Sequence, residues 1–189
     1  MRYVKGTTTH ALRHIKKRIV CHNMCTTIAY IDADWVGDYD NCSISGYCVF
    51  LGRNLISCKS EKQKTVARSS TEAEYRALGS VVAETSWLRQ LLQILGLYVA
   101  STRVLCDIKS ALVIAANPVF HDRTKYFQID HHFVREKVEF KGIQTGYVPS
   151  REVADIFTKG LPIKQNLYLK SKLCIFPDHV QFEGECQTS

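Results

Sequence analysis

From Thr27 to Leu95 the chain passes from short β-rich runs to one long helical pattern, and this change limits the fold more than any other feature. Three short β-rich runs come first, TTIAYIDA, SGYCVFL and NLISCK, with Gly46 and the Gly52-Arg53-Asn54 turn between them. They predict three successive antiparallel strands. A long helical pattern runs from Ser70 to about Leu95 and is closed by Gly96. It is followed by a strand TRVLCD, a helix IKSALVIAAN stopped by Pro118, a helix near Ile129 to Phe140, a strand IQTGYV and a short helix after Ser150. Strands followed by alternating helix and strand units predict an α/β fold, with a mixed five-stranded sheet flanked by helices.

With 189 residues and 46% hydrophobic content the chain can bury one sizeable core. Residues 1–25, with Arg2, Lys5, Arg13, Lys16, Lys17 and Arg18 and no acid, read as a basic leader; residues 26–162 read as the domain, and 163–189, with few periodic cues, as a peripheral tail. No run of about 18 apolar residues and no apolar signal core is present, so a soluble intracellular protein, cytoplasmic or nuclear and without a membrane partner, is expected. The eight cysteines are scattered and read as free thiols rather than a disulfide framework. Cys21 with Cys25 lacks a second ligand pair at zinc spacing, and His10 with His14 is only an i,i+4 pair. The net charge of +7 favours a polyanionic partner.

Two glutamates in SSTEAEYRAL invite a choice. Counting from Glu74 through Leu78, Val81, Thr85, Leu88, Leu92 and Leu95, the steps alternate four and three, which puts Glu74 on the core-facing stripe of the helix. Glu72 lies on another face, three residues after Ser69, at the spacing that closes a helix N-terminus. Thr71 and Glu74 share that spacing, so the cap could sit two residues later. A carboxylate in a core stripe is costly unless something pairs it. Strand period places Ile28, Tyr30, Asp32 and Asp34 on one face of the first strand and Ala29, Ile31 and Ala33 on the other. Asp107 follows an apolar strand, where an N-cap role would suffice, and Asp155 opens the last helix, where it could pair with Lys159. Taken together, Asp32, Glu74, Asp107 and Asp155 stand on four elements that a mixed sheet can bring together. Repelling carboxylates without histidine or cysteine among them suit magnesium or manganese and phosphoryl hydrolysis.

The segments YIDADWVGD, SGYCVFLG, NLIS, KQKTVARSSTEAEYRAL, CDIKSA, NPVFHDRTK, HFVREK and VADIFTKGLP, in one order from about Tyr30 to Pro162, resemble the ribonuclease H domain of copia-type LTR retrotransposon Pol polyproteins. The resemblance implies a ribonuclease H-like fold and an endonuclease, a hydrolase that cuts the RNA strand of an RNA–DNA hybrid with two Mg2+ or Mn2+ ions. Motif by motif it places the catalytic, metal-binding acids at Asp32, Glu74, Asp107 and Asp155, in agreement with the helix phase at Glu74. Lys59, Lys62, Lys64, Arg68, Arg123 and Lys125 are the candidate nucleic-acid contacts, each also readable as part of a solvated face. The leader MRYVKGT resembles the end of a reverse-transcriptase segment, which makes a reverse-transcriptase domain absent from this chain a further expected partner.

The chain departs from the family pattern at Cys42, Cys58, Ile108, Tyr126 and Gln128, and VPSRE before Asp155 holds no histidine. His131 and His132 read as helix surface or core. Two other readings stand beside the nuclease. One is a transposase or integrase core, against which the order Asp, Glu, Asp, Asp argues. The other is a catalytically weak or inactive nucleic-acid-binding remnant of a Pol polyprotein.

Overall fold

The computed structural model describes residues 10–14, 24–35, 42–107, 109, 128–148 and 154–177. In chain order its strands are β1 His10–Leu12, β2 Met24–Asp34, β3 Ile44–Leu51, β4 Asn54–Lys62, β5 Tyr98–Cys106, β6 Ile143–Tyr147 and β7 Ile175–Pro177. Its helices are α1 Ser70–Ile94, α2 Gln128–Glu139, α3 Asp155–Thr158 and α4 Ile163–Lys172. Strands β2 to β6 form the mixed five-stranded sheet, in the order β4-β3-β2-β5-β6. β2, β3 and β4 run antiparallel, and β5 and β6 continue parallel to β2. The α/β class and the strand grammar expected from the sequence are both present. The expected helix IKSALVIAAN lies, apart from Lys109, outside the described residues. Among the described residues no helix is long and apolar enough to cross a membrane.

Both faces of the sheet are covered. Ala29 and Ile31 of β2 pack with Tyr47 and Val49 of β3, Val104 of β5 and the α1 stripe of Leu78, Val81, Val82 and Leu88. On the opposite face Cys48, Phe50 and Leu55 meet Leu173, with Tyr30, Ile156, Phe157 and Ile175 around them. This two-sided cover explains why SGYCVFL is an apolar run rather than an alternating one. Leu173 and Leu169 are fully buried, and β7 pairs with β1 in a two-stranded sheet. The stretch after Pro162, expected to be peripheral, thus supplies part of the second face. Its apolar positions are spaced too irregularly to announce a helix, because on α4 and its C-cap the fully buried apolar side chains are just Leu169 and Leu173, at i and i+4.

Helix α1 carries its own start and stop. Ser69 Oγ accepts the amide of Glu72 at 3.1 Å, and Glu72 Oε2 accepts the amide of Arg68 at 2.9 Å. Glu72 also pairs with Arg76 at 2.6 Å, so its carboxylate is spent on the helix terminus. At the other end Gly96 takes φ 76°, and the amides of Gly96 and Leu97 reach the carbonyls of Gln93 and Leu92. The core stripe holds at Glu74, Leu78, Val81, Thr85, Leu88 and Leu92, all buried, and ends before Leu95, the exposed C-cap.

Candidate active site

β2 and β5 lie side by side and parallel, with Tyr30 opposite Leu105, so Asp32 and Asp107 emerge next to one another at the carboxyl ends of neighbouring strands. In open α/β sheets this edge is where ligands collect. The N-terminal turns of α1 are fastened above it. Gln63 donates to Ser45 Oγ at 2.8 Å and to the carbonyl of Ala73 at 2.9 Å, and the Trp35 indole donates to the carbonyl of Ala67 at 2.9 Å. These ties bring Glu74 down onto β2, where its Oε1 accepts the Ala33 amide at 2.6 Å. As a result Asp32, Glu74 and Asp107 each offer one carboxylate oxygen, all within 4.8 Å of one another.

Asp155 reaches the same region by a different route. It is the first residue of α3 and is buried, and its Oδ1 lies 2.9 Å from Lys159 Nζ, which in turn stands 3.2 Å from Asp32 Oδ1. The Thr158 hydroxyl donates to Asp32 Oδ2. So Asp155 joins Asp32 through a lysine, while the other three acids meet directly. Gly46 makes this possible: it faces Asp32 across the β2–β3 pair, and a Cβ there would stand 2.6 Å from Phe157 Cβ and 2.8 Å from Thr158 Cγ2. Gly46→Ala is therefore expected to push α3 off the sheet at a cost of about 1–3 kcal/mol, read as a lowered urea midpoint. An unchanged midpoint would show that α3 does not depend on this contact.

Crowding of acids sets the electrostatics. Burial, reinforced by the charges of Asp32 and Asp107 and opposed by the Ala33 amide, pushes the Glu74 carboxyl up from 4.5 to about 8. Asp32 is also raised, by burial first, against the Thr158 hydrogen bond and the Lys159 charge, which favour its ionised form. Burial pulls the Lys159 ammonium down, but its hydrogen bonds and the charges of Asp155 and Asp32 outweigh that and hold it above its usual value. Glu74 Oε2 is buried and has no hydrogen-bond partner. It is an acceptor that the fold leaves to something else.

Lys59 and Lys62 lie on β4, and Lys64 and Arg68 on the link to α1; all four are exposed, and Lys59 pairs with Glu61 at 2.6 Å. Arg123 and Lys125 lie outside the described residues. On α2, His131 is buried and stacked on Tyr75 at 6.0 Å between ring centroids, and His132 is exposed, so the first is core and the second surface. The described cysteines are free thiols. Sequence marks Gly46 only as a break between strands and Lys159 only as a partner for Asp155, and it does not mark Thr158. Their only other signal is membership of the SGY and DIFTK runs, whose contacts with Asp32 join parts of the chain far apart in sequence.

No protein-family model matches the chain. It is 42% identical over 164 residues to the retrovirus-related Pol polyprotein from transposon RE1 of Arabidopsis thaliana, an alignment that takes in 85% of this chain and 11% of that polyprotein. It is 37% identical over 166 residues to the corresponding polyprotein from transposon TNT 1-94 of Nicotiana tabacum, covering 86% of this chain and 12% of the relative. The chain thus spans about a tenth of the length of these curated relatives. Among solved structures, RNase H1 from Halobacterium salinarum superposes with a TM-score of 0.51 at 14% identity, over 76% of this chain and 98% of that one. LC11-RNase H1, solved in complex with an RNA/DNA hybrid, gives 0.53 at 16% identity over 70% of this chain and 94% of that one. By sequence, then, the chain is homologous to a segment of the retrovirus-related Pol polyproteins of transposons, and its fold is that of the ribonuclease H domains.

Proposed function

We propose that this chain is a copia-type ribonuclease H, an endonuclease that hydrolyses the RNA strand of RNA–DNA hybrids. The observation that carries the reading is the meeting of Asp32, Glu74 and Asp107 within 4.8 Å, with Glu74 Oε2 buried and unpartnered. An all-oxygen donor set of this kind fits a hard divalent cation, Mg2+ or Mn2+. Asp32, Glu74 and Asp107 would hold one ion, and Asp32 with Asp155 a second. Bound there, such ions supply a lowered pKa for the attacking water and neutralise charge on the leaving 3′ oxygen.

The protein's own contribution is positional. The Ala33 amide fixes Glu74 through Oε1. Thr158 and Lys159 orient Asp32. Because Glu74 holds a proton up to about pH 8, loading the site requires that proton to leave, which couples metal affinity to pH. Lys59, Lys62, Lys64 and Arg68 would contact backbone phosphates, joined by Arg123 and Lys125, while the 2′-hydroxyls of the RNA strand distinguish a hybrid from duplex DNA. A reverse-transcriptase domain is a partner consistent with Pol polyprotein relatives.

The deciding assay is purified protein with Mg2+ on labelled substrates. Hybrid is expected to be cut, and single-stranded RNA and duplex DNA left intact. Hybrid binding is expected to weaken with salt at a log–log slope of several units, roughly one per phosphate contact. A flat salt response would remove the basic residues from the interface, and binding without cutting would favour an inactive remnant.

A further inference from the structure

The run DIFTK ends in two residues that are not themselves cation ligands in the proposed chemistry, and both return to Asp32. Thr158 and Lys159 lie 126 and 127 positions beyond it in sequence, yet the hydroxyl takes Asp32 Oδ2 and the ammonium stands 3.2 Å from Oδ1. Lys159 is the C-cap of the one-turn helix α3 in extended backbone geometry, so it folds back over Asp155 four residues earlier and meets its Oδ1 at 2.9 Å. The Lys159 side chain is 35% exposed, while those of Asp32 and Asp155 are 5% and 9% exposed. Asp32 is therefore shared. On one side it approaches Glu74 and Asp107, and on the other it is bound to Asp155 through an ammonium.

Two buried carboxylates held side by side need a retained proton or a cation, and at this edge the chain supplies a cation of its own. Resting on the metal-dependent nuclease reading above, we infer that Lys159 is a built-in counter-cation that orders the Asp32–Asp155 edge and competes there with a divalent ion. The two cation positions of the site then differ in kind. At the Asp32–Glu74–Asp107 position an ion meets a carboxylate oxygen that has no partner, whereas at the Asp32–Asp155 position it must displace a lysine whose half-exposed stem can swing into solvent. The ions load in sequence, the second more weakly, and Lys159 sets the gap as a positioning residue.

The test is a calorimetric Mn2+ titration of the full chain, combined with melting of the metal-free protein. Two binding steps are expected. Lys159→Met is expected to tighten the weaker step by roughly tenfold, the scale of removing one competing charge at a protein surface, and to leave the tighter step nearly unchanged. The same variant is expected to lower the metal-free Tm by roughly 2–4 °C. Lys159→Arg, which keeps the charge, restores both values. Where Lys159→Met does not fold, Lys159→Gln gives the same reading, since it keeps a donor without charge. A lysine with a merely structural role would lower the Tm and leave the weaker step where it was or weaken it, and that result overturns the inference while wild-type hybrid cleavage leaves the nuclease reading standing. If the wild-type chain neither binds Mn2+ nor cuts hybrid, the nuclease reading falls and the inference falls with it.

Discussion

Glu74→Gln is expected to reduce hybrid cleavage by roughly two to three orders of magnitude or more, the scale of losing one charge-stabilising group, while Glu72→Gln keeps most of the activity. The two residues are two positions apart on one helix, and their surroundings decide between them. Glu72 is committed to the amide of Arg68 and to the Arg76 guanidinium. Glu74 is held by one oxygen to the Ala33 amide and offers a carboxylate oxygen to a group with Asp32 and Asp107. Glutamine at position 74 keeps the shape and an acceptor for Ala33 but halves the donor capacity for a cation. At position 72 it weakens a helix terminus, at a cost of about 1 kcal/mol, which a melting curve would register. Reversed phenotypes in folded proteins would sink the assignment.

Why helix phase located Glu74 but missed Thr158 and Lys159 follows from the kinds of information involved. Glu74 stands in register with Leu78, Val81 and Thr85, so a local period of 3.6 reveals that it is buried, and burial of an acid is itself the functional signal. Asp32 was legible for the same reason, since the period of two in IAYIDA puts it among apolar neighbours. Thr158 and Lys159 sit in a helix of four residues, too short to carry a period, and their partner Asp32 is more than 120 positions away. Nothing local marks their contacts with Asp32. Sequence marks Gly46 only as a break between strands, although its small size is needed by Phe157 and Thr158, which again are distant in sequence. The stretch after Pro162 was underestimated because Leu173 earns its burial from Phe50 and Cys48 on the sheet, a tertiary contact that no pattern within the tail announces. Asp32 lies on β2, Glu74 on α1 and Asp155 at the start of α3, and Asp107 directly follows β5. That Asp155 would meet Asp32 through a lysine, and the others directly, required the three-dimensional path of α3.

The second large effect is on the stability of metal-free protein, and its sign runs opposite to activity. With a chelator present, the unfolded chain ionises Glu74 near its ordinary 4.5, whereas the folded chain holds the proton to about 8. Below pH 4.5 both states are protonated and the group is neutral toward folding. Between those values the folded state binds more protons than the unfolded one, so the unfolding free energy falls as pH rises, and above about 8 the full penalty is in place. A shift of this size corresponds to a loss on the order of 5 kcal/mol across the window. The raised Asp32 carboxyl acts in the same sense, and the raised Lys159 loses its contribution only at alkaline pH, above the window. Metal-free Tm is therefore expected to fall between pH 5 and 8, and Glu74→Gln to flatten that fall and melt above the wild type at pH 8. Asp107→Asn, which removes one of the charges that raise Glu74, is expected to do the same in part. Mg2+ at roughly ten times its dissociation constant should return about 1.4 kcal/mol to the wild type at pH 8, and less to either variant. Each variant thus gains stability as it loses cleavage, the signature of a group kept for chemistry at the expense of the fold. A metal-free Tm that stays level from pH 5 to 8, with Glu74→Gln no more stable than the wild type and Mg2+ shifting all three proteins equally, would mean that Glu74 is ionised and paired at neutral pH and that the carboxylates do not form a common cation site.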